Sequence, residues 1–488
     1  MKKIETIVVV GGGTAGCVAA LILKSKFPQF HIQLIESTKV GIVGVGESST
    51  EHWAEFCEFI GINQLDAILH CNATFKIGVH YEGWADQDFM HTLGNPYFKQ
   101  YGSYYGVFGY LIANNCLSKD LCWYHAWENK LGTNYFNDVN DSPTLQYHFD
   151  TFALNNFLHR ICEERGIEMI QDDLLGATLH EETGDIRSVV SNDREYFADF
   201  FIDSTGFSRL LLNKTYGIEW KSYADYLPVN SAFVFPTPEM DEYNKQTKIT
   251  ARNSGWSWTV PTQTRTGNGY VYHDSFIEKD EAHREIEEAY GHSVNIAKQF
   301  KYDPGRLEKA WHKNCYAVGL SQSFIEPLEA TSIGSVIQQM FCFIHFFPSY
   351  DSETCNKYVR DIFDNLLDYV QAHYLVKRED TPFWKEVKFN LKLTSNLQDY
   401  LQKWKNRLPL ASDIECPWGM FNAANYIQIL YGLGWFDVEK IRQEYQFHAP
   451  SIEQNILLSL TPEMLTPSFS IGHKTFIKEL VKGYYGGF

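Results

Sequence analysis

Residues 4–20 of the chain read IETIVVVGGGTAGCVAA, and this stretch decides the fold. The apolar run before the glycines predicts a buried parallel strand over residues 4–10, and residues 14–25 follow it with the composition of a helix. A second strand is predicted over residues 32–36. Strand, glycine turn, helix and strand together form a βαβ unit at the start of the chain.

The glycine turn has the spacing of a dinucleotide-binding loop, because Gly11, Gly13 and Gly16 form GxGxxG between a strand and a helix. The first glycine permits the tight turn, the second lets the backbone approach a pyrophosphate, and the third allows helix and strand to pack closely. The helix N-terminus then directs its partial positive charge at the phosphates. Glu36, at the end of the second strand, is placed to accept hydrogen bonds from an adenosine ribose. A glycine turn without a nucleotide is the alternative, and the matching strand, helix and carboxylate disfavour it.

A later strand favours FAD over NAD as the dinucleotide. Residues 198–203 (ADFFID) predict a buried strand that ends in the turn Ser204, Thr205 and Gly206, the kind of strand with which FAD-binding folds close over their cofactor. One nucleotide fingerprint is present, so an NAD(P)H domain is not evident. The sequence therefore predicts an α/β fold of the FAD-binding, Rossmann-like flavoprotein monooxygenase type with an added β-sheet.

The chain changes character in its second half, where helical periodicity dominates from about residue 333 onward. We expect an FAD-binding region over residues 1–340, with an interleaved substrate segment at about 56–140. A mostly helical region over residues 341–488 would cap the substrate.

Charge and cysteine usage limit the function classes. A formal net charge of −18 opposes binding to a phosphate backbone, so nucleic acid is not expected as a partner. The ten cysteines show no CxxC spacing, which predicts reduced thiols in the cytoplasm and neither a disulfide framework nor a metal site. No stretch of roughly 20 apolar residues suggests a membrane span. Aromatic residues make up 15% of the chain and could line a cavity.

Several motifs point to one known family. The loop GGGTAG at residues 11–16 is joined by GVGES at 44–48, FK at 75–76, GWSWTVP at 255–261 and GLSQSFIEPLEATSIG at 319–334. With these motifs, and with YVQAHY and DTPFW further on, the sequence resembles the flavin-dependent tryptophan halogenase family nearly end to end. WSWTVP matches the WxWxIP signature that separates this family from related flavin hydroxylases.

The resemblance implies a set of site residues. Lys76 corresponds to the family's catalytic lysine and Glu329 to its essential glutamate, while Thr331 and Ser332 fall at the halide-binding positions. The residues implied for binding FAD are Gly11, Gly13, Thr14, Ala15, Gly16, Glu36, Gly46, Glu47, Ser48, Leu320 and Ile333. Those implied for the aromatic substrate are His91, Leu93 and Phe421, and those implied for the tunnel are Trp256, Trp258 and Pro261.

The chemistry that the resemblance implies makes physical sense of the lysine and the glutamate. A separate reductase would supply reduced FAD, which with oxygen and a halide gives hypohalous acid inside a closed cavity. A lysine can hydrogen-bond this acid or form a haloamine with it, and so fixes where the halogen meets the ring. A nearby carboxylate can stabilise the cationic ring intermediate and accept its proton. The substrate would be a small aromatic molecule, and a homo-oligomer is among the states that the sequence leaves open.

The sequence departs from the family members that act on free tryptophan. Residues 408–410 (LPL) are followed by a short segment, ASDIECPWGMF, where those members carry a longer insertion that clamps the amino acid. Leu93 replaces a ring and Phe421 replaces a tryptophan, which weakens stacking on indole. We therefore expect the short-loop, relaxed-substrate branch, with indoles or other electron-rich aromatics, free or carrier-bound, as substrates.

A second departure lies at the halide position, and two other functions remain open. Ala330 and Ser332 replace the usual Ser and Gly, so bromide or iodide could be preferred over chloride.

A flavin-dependent hydroxylase would deliver oxygen to the aromatic ring and would need neither Lys76 nor WSWTVP. A flavin-binding protein that has kept the fold and lost the chemistry is the non-enzymatic alternative.

Overall fold

A six-stranded sheet holds the glycine motif. The computed structural model describes residues 4–41, 46–92, 108–109, 112–113, 146–447 and 472–486. Strands are numbered along the chain. The spatial order of the sheet is Trp311–His312 (β20), Cys315–Ala317 (β21), Phe200–Asp203 (β12), Thr6–Val10 (β1), His31–Glu36 (β2) and Glu168–Gln171 (β8).

The central strands of this sheet are parallel, as the βαβ prediction requires. β1 pairs in parallel with β2 on one side and with β12 on the other, so that Val10 lies opposite both Ile35 and Asp203. The first helix, Thr14–Lys26 (α1), begins directly after the glycine turn. The predicted βαβ unit and the later strand near residues 198–203 are therefore confirmed, with ends shifted by one to two residues.

A seven-stranded sheet forms the added β structure. Its strands are antiparallel to their neighbours, except that the fifth and sixth strands in spatial order run parallel to each other. In spatial order they are Lys298–Lys301 (β18), Ser231–Pro238 (β14), Arg265–Tyr272 (β17), Gly255–Pro261 (β16), Gln246–Arg252 (β15), Gly78–Glu82 (β5) and Phe89–Thr92 (β6).

A small sheet connects the segment after the first βαβ unit to the FK motif. In it, Gln146–Phe149 (β7) lies between Glu47–Ser48 (β3) and Thr74–Lys76 (β4). Two further sheets have three strands each. They consist of Gly176–Leu179 (β9), Ile186–Val190 (β10) and Glu195–Phe197 (β11), and of Trp220–Ser222 (β13), Gly305–Leu307 (β19) and Ser323–Phe324 (β22).

Helices dominate the described part of the chain after residue 330, as predicted. The other α-helices among the described residues are His52–Ile60 (α2), Asp66–His70 (α3), Thr151–Glu164 (α4), Lys279–Tyr290 (α5), Thr331–Phe346 (α6), Ser352–Ala372 (α7), Pro382–Asn390 (α8), Ser395–Trp404 (α9), Ala423–Gly432 (α10) and His473–Gly486 (α11). Helix α6 packs against α1, α2 and α7. The division at residue 340 stays a prediction.

Helix α6 corrects one expectation drawn from the sequence. Within the described ranges, Leu328–Ser349 is long and apolar enough to cross a membrane, although no such stretch was expected. Its most apolar window is 67% buried inside the protein, because α6 is a core helix wedged between other elements. Its apolar composition is therefore accounted for by packing.

The cysteines and possible metal ligands show no cross-links or clusters in the described part of the chain. All eight cysteines that it contains carry free thiols. Cys116 and Cys122 lie outside the described residues. Groups of three or more His, Cys, Asp or Glu that could hold a metal do not occur among the residues described.

The close approach of α1 to the glycine turn generates a test of the fold. A Cβ on Gly16 would lie 1.9 Å from the carbonyl oxygen of Gly11, so Gly16→Ala should lower the free energy of unfolding by about 1–3 kcal/mol through overpacking. Gly13→Ala is the matched control, since its φ is −71° and a Cβ there would meet no atom within 4 Å. Urea unfolding of the cofactor-free proteins measures both. Equal stability of the two variants would contradict the packing.

Candidate functional site

The glycine turn opens onto a cavity of about 460 Å³, called here the glycine-loop cavity. It lies where the carboxyl ends of β1, β2 and β12 meet the start of α1, at the edge of the parallel sheet where α/β folds bind nucleotides. Its wall includes the predicted residues Gly11, Gly13, Thr14, Ala15, Glu36, Glu47, Leu320 and Ile333.

The turn itself has the shape of a phosphate cradle. Gly11 has a φ of +113°, and a Cβ there would lie 2.3 Å from the carbonyl oxygen of Ser204. Gly13, by contrast, faces open space, which leaves room for a pyrophosphate beside the backbone. No side chain caps the N-terminus of α1, so its first N–H groups remain available to an anion. These features fit the FAD that the sequence predicts.

Glu36 lies in the wall of the same cavity, with its side chain 27% exposed. His159 on α4 lies behind it: the Nε2 of this histidine is 3.9 Å from a Glu36 carboxylate oxygen and 2.6 Å from the Gly12 carbonyl oxygen. Sequence reasoning did not single out His159, because it comes from a helix more than 100 residues away. The histidine joins the carboxylate to the glycine turn.

A second cavity of about 180 Å³ adjoins the first and is called here the lysine cavity. Four residues, Glu47, Gly319, Leu320 and Ser332, line both cavities. Predicted site residues from four separate parts of the chain line the lysine cavity, namely Gly46, Glu47, Ser48, Lys76, Trp258, Leu320, Glu329, Thr331 and Ser332. The two cavities therefore meet at these four residues, and Lys76 lines the second cavity only.

Lys76 is held at the end of β4 with only 3% of its surface exposed. Its Nζ donates a hydrogen bond to the carbonyl oxygen of Ser49 at 3.1 Å. Burial lowers the pKa of Lys76 to about 8, and attraction to Glu329 and Glu51 opposes this shift. The amine is therefore mostly protonated near neutral pH and loses its charge in mildly alkaline solution.

Lys76 is tied to the Glu47–Ser48 segment by buried hydrogen bonds as well as by the small sheet. His148 on β7 lies opposite both Ser48 and Thr74. Its Nδ1 is 3.1 Å from the Thr74 hydroxyl, and its Nε2 is 3.0 Å from the Thr247 hydroxyl. Thr247 in turn lies 3.4 Å from the Ser48 hydroxyl. These contacts connect Ser48, next to the boundary residue Glu47, to the strand that holds Lys76.

Glu329 is an ionised carboxylate with three side-chain partners. Its oxygens lie 2.9 Å from His91 Nδ1 and 3.2 Å from His373 Nε2, and one of them also accepts a hydrogen bond from the Tyr81 hydroxyl. Burial alone would raise the pKa of Glu329, but the charge and hydrogen bonds of His91 and His373 outweigh it and hold the pKa well below its usual range. Glu329 therefore faces Lys76 as an anion.

The backbone around Glu329 turns sharply to open the start of α6. Glu329 and Ala330 have φ values of +63° and +56°, left-handed conformations that cost about 1–2 kcal/mol for each non-glycine residue. Thr331 and Ser332 follow as the first residues of α6, where unpaired N–H groups and the helix dipole attract anions. The turn thus places a carboxylate and an anion-attracting helix end in one cavity.

A second glutamate in the wall of the lysine cavity was not predicted. Glu326 is fully buried and accepts a hydrogen bond from the Tyr374 hydroxyl at 2.6 Å. Burial raises the pKa of Glu326 to about 8, so the group is mostly neutral near neutral pH. The sequence placed it within a family motif but gave no sign of its protonation state.

Two of the residues predicted to hold the aromatic substrate, His91 and Phe421, lie against Tyr369 and are not among the residues that line the lysine cavity. His91 is fully buried between Glu329, Tyr369 and Asn425. Phe421 stacks on Tyr369, with ring centroids 3.8 Å apart and planes at 24°. The ring of Tyr369 therefore contacts both predicted residues. Leu93, the third, lies outside the described residues.

The WSWTVP residues contribute unequally to the cavity wall. Trp258 lines the lysine cavity together with Val260. Trp256 is fully buried and donates its Nε1–H to the Tyr374 hydroxyl at 3.0 Å, which positions the partner of Glu326. The carbonyl oxygen of Pro261 accepts a hydrogen bond from the Thr74 hydroxyl at 2.8 Å, beside Lys76 in β4.

The segment after Leu410 is as short as the sequence suggested, and its acidic residue is already paired. Asp413 accepts hydrogen bonds from both terminal nitrogens of Arg407, at 2.6 and 2.7 Å, and from the Trp404 indole at 2.9 Å. α10 starts at Ala423, ten residues further on. Asp413 therefore stabilises its own loop and is not placed to hold the amine of an amino acid.

A mainly parallel α/β sheet with a glycine-loop cavity, adjoined by a cavity that contains a buried lysine, is the architecture of an FAD-binding enzyme of the flavoprotein monooxygenase type. The tryptophan halogenase family model matches residues 6–443. The chain is 30% identical over 474 residues to the 7-chloro-L-tryptophan 6-halogenase KtzR of Kutzneria sp., covering 88% of this chain and 90% of that protein. It is 29% identical to the tryptophan 7-halogenase RebH of Lentzea aerocolonigenes, over 88% and 90% of the two chains.

Solved structures agree with this relationship. The tryptophan halogenase of Shewanella frigidimarina superposes with a TM-score of 0.85, covering 99% of this chain and 98% of that one, at 23% identity. The tryptophan 6-halogenase SttH of Streptomyces toxytricini superposes with a TM-score of 0.77 at 27% identity, covering 94% and 98%. The chain belongs to the tryptophan halogenase family and is a flavin-dependent halogenase. The predicted fold class is confirmed, and the family uses FAD and a halide.

The contact expected at Glu36 generates a test of the cofactor site. Glu36→Gln removes the charge that would accept ribose hydrogen bonds, and should raise the Kd for FAD about 10- to 100-fold. Glu168→Gln is the matched control, because Glu168 is an exposed acid on the neighbouring strand β8, where it pairs with His31. Quenching of flavin fluorescence measures both. An unchanged Kd for Glu36→Gln would remove this residue from the cofactor site.

Proposed function

We propose that the protein uses FADH2, oxygen and a halide to halogenate electron-rich, indole-like aromatic compounds, with Lys76 directing the halogen. The observation that supports this most directly is that Lys76 and Glu329 line one cavity, which adjoins the predicted FAD site. A hydroxylase would need no buried lysine in that place. The family relationship also favours halogenation over the hydroxylase and the silent flavin-binding alternatives.

FAD would be held by the glycine turn, Glu36, Leu320 and Ile333. When bound and reduced, it supplies, with oxygen, the oxidising power that converts a halide into hypohalous acid. The walls of the lysine cavity then keep this acid away from bulk water and from unselective reactions.

Lys76 holds the hypohalous acid by hydrogen bonding. Near neutral pH its ammonium group has three donors and no lone pair, which favours a hydrogen bond over nucleophilic attack to form a haloamine. One donor is used by the Ser49 carbonyl oxygen. The remaining donors can bind the oxygen of the acid and orient the halogen toward the ring.

Glu329 serves the second half of the reaction. Its negative charge can stabilise the cationic ring formed when the halogen adds, and its carboxylate can then accept the ring proton. His91, His373 and Tyr81 hold the carboxylate in place. Lys76 therefore acts on the hypohalous acid, and Glu329 acts on the aromatic ring that receives the halogen.

The halide site is proposed at Thr331 and Ser332. Backbone N–H groups at the start of α6 offer an anion site at the boundary of the two cavities. Ser332 brings a side chain into that site, and bromide or iodide, which are less strongly hydrated and more easily oxidised, would be preferred over chloride.

Free tryptophan is disfavoured by the charges of the lysine cavity. Among the described residues that line it, Lys76 is the cation, whereas Glu47, Glu326 and Glu329 are acids. The carboxylate of an amino acid would find no partner besides the lysine that has to direct the halogen. An aromatic substrate without that carboxylate, or one whose carboxylate is covalently linked to a carrier, avoids the conflict.

The reduced flavin would come from a separate reductase, because the described part of the chain has a single glycine-loop dinucleotide cavity. We propose a cytoplasmic location, which agrees with the free thiols of the described cysteines.

The role of Lys76 generates a test by substitution and by pH. Lys76→Ala should lower the rate of halogenation at least about 100-fold, with the Kd for FAD unchanged. Lys248→Ala, an exposed lysine on β15 paired with Glu82, should keep wild-type activity. Steady-state rates with indole, bromide and a flavin reductase, read by mass spectrometry, compare the two.

The wild-type rate should fall as the pH rises through about 8, because Lys76 loses its proton there while Glu329, Glu51 and His148 face it. Glu326, whose pKa burial raises to about 8, titrates in the same range and adds to the fall. A rate that rises to a plateau above that pH would instead favour the haloamine.

The cavity charges generate a test of selectivity. With equal concentrations of indole and free tryptophan, and of bromide and chloride, we expect brominated indole as the main product, because tryptophan brings an uncompensated carboxylate. Competition in one vessel, followed by mass spectrometry, measures both preferences. Mainly halogenated tryptophan would contradict the substrate proposal, and mainly chlorinated product would contradict the halide proposal.

A further inference from the structure

Glu326 has one paired oxygen and one bare oxygen at the wall of the lysine cavity. Its Oε1 accepts the hydrogen bond from Tyr374, and Tyr374 accepts one from the Trp256 indole. Its Oε2 is buried without a hydrogen-bond partner among the described residues. Because Oε1 is the accepting oxygen, a proton on the carboxyl group belongs on Oε2. Burial raises the pKa of Glu326 and outweighs the opposing effects of Tyr374 and of the Trp256 indole.

The surroundings of Glu326 favour the neutral acid. An ionised carboxylate without charged partners or several donors loses several kcal/mol when it is buried. Tyr374 and Tyr302 are the titratable groups that interact with Glu326, and burial raises the pKa of both well above the usual value, so neither supplies charge. The acid therefore keeps its proton near neutral pH.

Glu329, three residues further on, is in the opposite state. His91, His373 and Tyr81 provide the donors that Glu326 lacks, so Glu329 is ionised while Glu326 is neutral. Both residues line the lysine cavity. Two carboxyl groups that the surroundings keep in opposite protonation states form a matched general acid and general base.

We propose that Glu326 is the proton donor of the halogen transfer, giving its Oε2 proton to the oxygen of the hypohalous acid. This inference rests on the proposed function. As the ring carbon forms its bond to the halogen, the halogen–oxygen bond breaks and its electron pair stays on oxygen. With the proton from Glu326, that oxygen leaves as water, while the ring loses its own proton to Glu329. The step leaves Glu326 as a carboxylate and Glu329 as an acid, and proton exchange through water resets both.

Protonation by Glu326 would provide the hypohalous acid with a better leaving group. Hydroxide is a poor leaving group, so hypohalous acid transfers its halogen readily only when its oxygen is protonated. Lys76 can hold that oxygen by a hydrogen bond, whereas Glu326 can release a proton to it. The lysine positions the acid and the glutamate activates it.

The test compares Glu326→Gln with Glu326→Asp. The glutamine keeps an oxygen for Tyr374 but has no acidic proton, so the rate of aryl halide formation should fall about 10²- to 10⁴-fold. Hypohalous acid should still form and appear in a soluble diketone trap, and the Kd for FAD should not change. Glu326→Asp keeps the acid and should lose less activity than the glutamine.

Asp368→Asn is the matched control. Asp368 is also a buried carboxyl group whose burial raises its pKa to about 7, but it is bonded to Thr394 and Asn396 on the far side of α7 from the cavity lining. Its loss should leave halogenation within a few-fold of wild type. Equal losses in Glu326→Gln and Glu326→Asp, or loss of the trap signal together with product, would show a structural role and overturn the proposal.

Infrared spectroscopy reads the protonation state without turnover. The spectrum of the wild-type protein minus that of Glu326→Gln, without flavin at neutral pH, should contain the C=O stretch of a protonated carboxylic acid. Its absence would overturn the proposal. Failure of the wild-type enzyme to halogenate any aromatic compound would overturn the proposed function and the transfer step together, while the infrared band would remain.

Discussion

The turn from Glu326 to Ser332 is the constraint on which the active site depends. Two consecutive left-handed residues, Glu329 and Ala330, reverse the chain immediately before α6 and so bring a buried acid, a buried carboxylate and an open helix end to one cavity. Left-handed residues with side chains are costly, and the surrounding contacts hold them in place. In Glu329 those contacts are its hydrogen bonds to His91, His373 and Tyr81.

This turn also explains how three regions of the chain act together. α6 starts there and packs against α1, which carries the glycine turn. The lysine of β4 faces the same cavity from a different sheet and is linked through His148 to the boundary residues near Ser48. The glycine turn, Lys76, Glu329 and the start of α6 are therefore joined through packed helices and buried polar groups.

Much of the fold was predictable because its signals are local. The βαβ unit follows from a short apolar strand, three spaced glycines and a helix, all within residues 4–36, and the structure confirms it. The family motifs likewise identified Lys76 and Glu329 as candidates from short stretches of sequence. Those residues line one cavity in the structure, as their proposed roles require.

The rest depended on contacts between distant parts of the chain. His91 and Glu329 are 238 positions apart, and no local pattern shows that the two ring nitrogens of the histidine would bond to Glu329 and Asn425. The sequence likewise did not predict that Tyr369 stacks on Phe421. Glu326 and Glu329 look alike in sequence, and only the number of donors around each separates a neutral acid from an anion.

The central claim is that the halogen meets the aromatic ring inside the lysine cavity. X-ray diffraction at the bromine absorption edge, from crystals grown with a bromoindole product, tests it most directly, because the anomalous signal locates the bromine atom itself. The account predicts a bromine peak within the cavity, between Lys76 and Glu329 and within reach of both side chains. A well-ordered bromine peak at a position outside that cavity would contradict it.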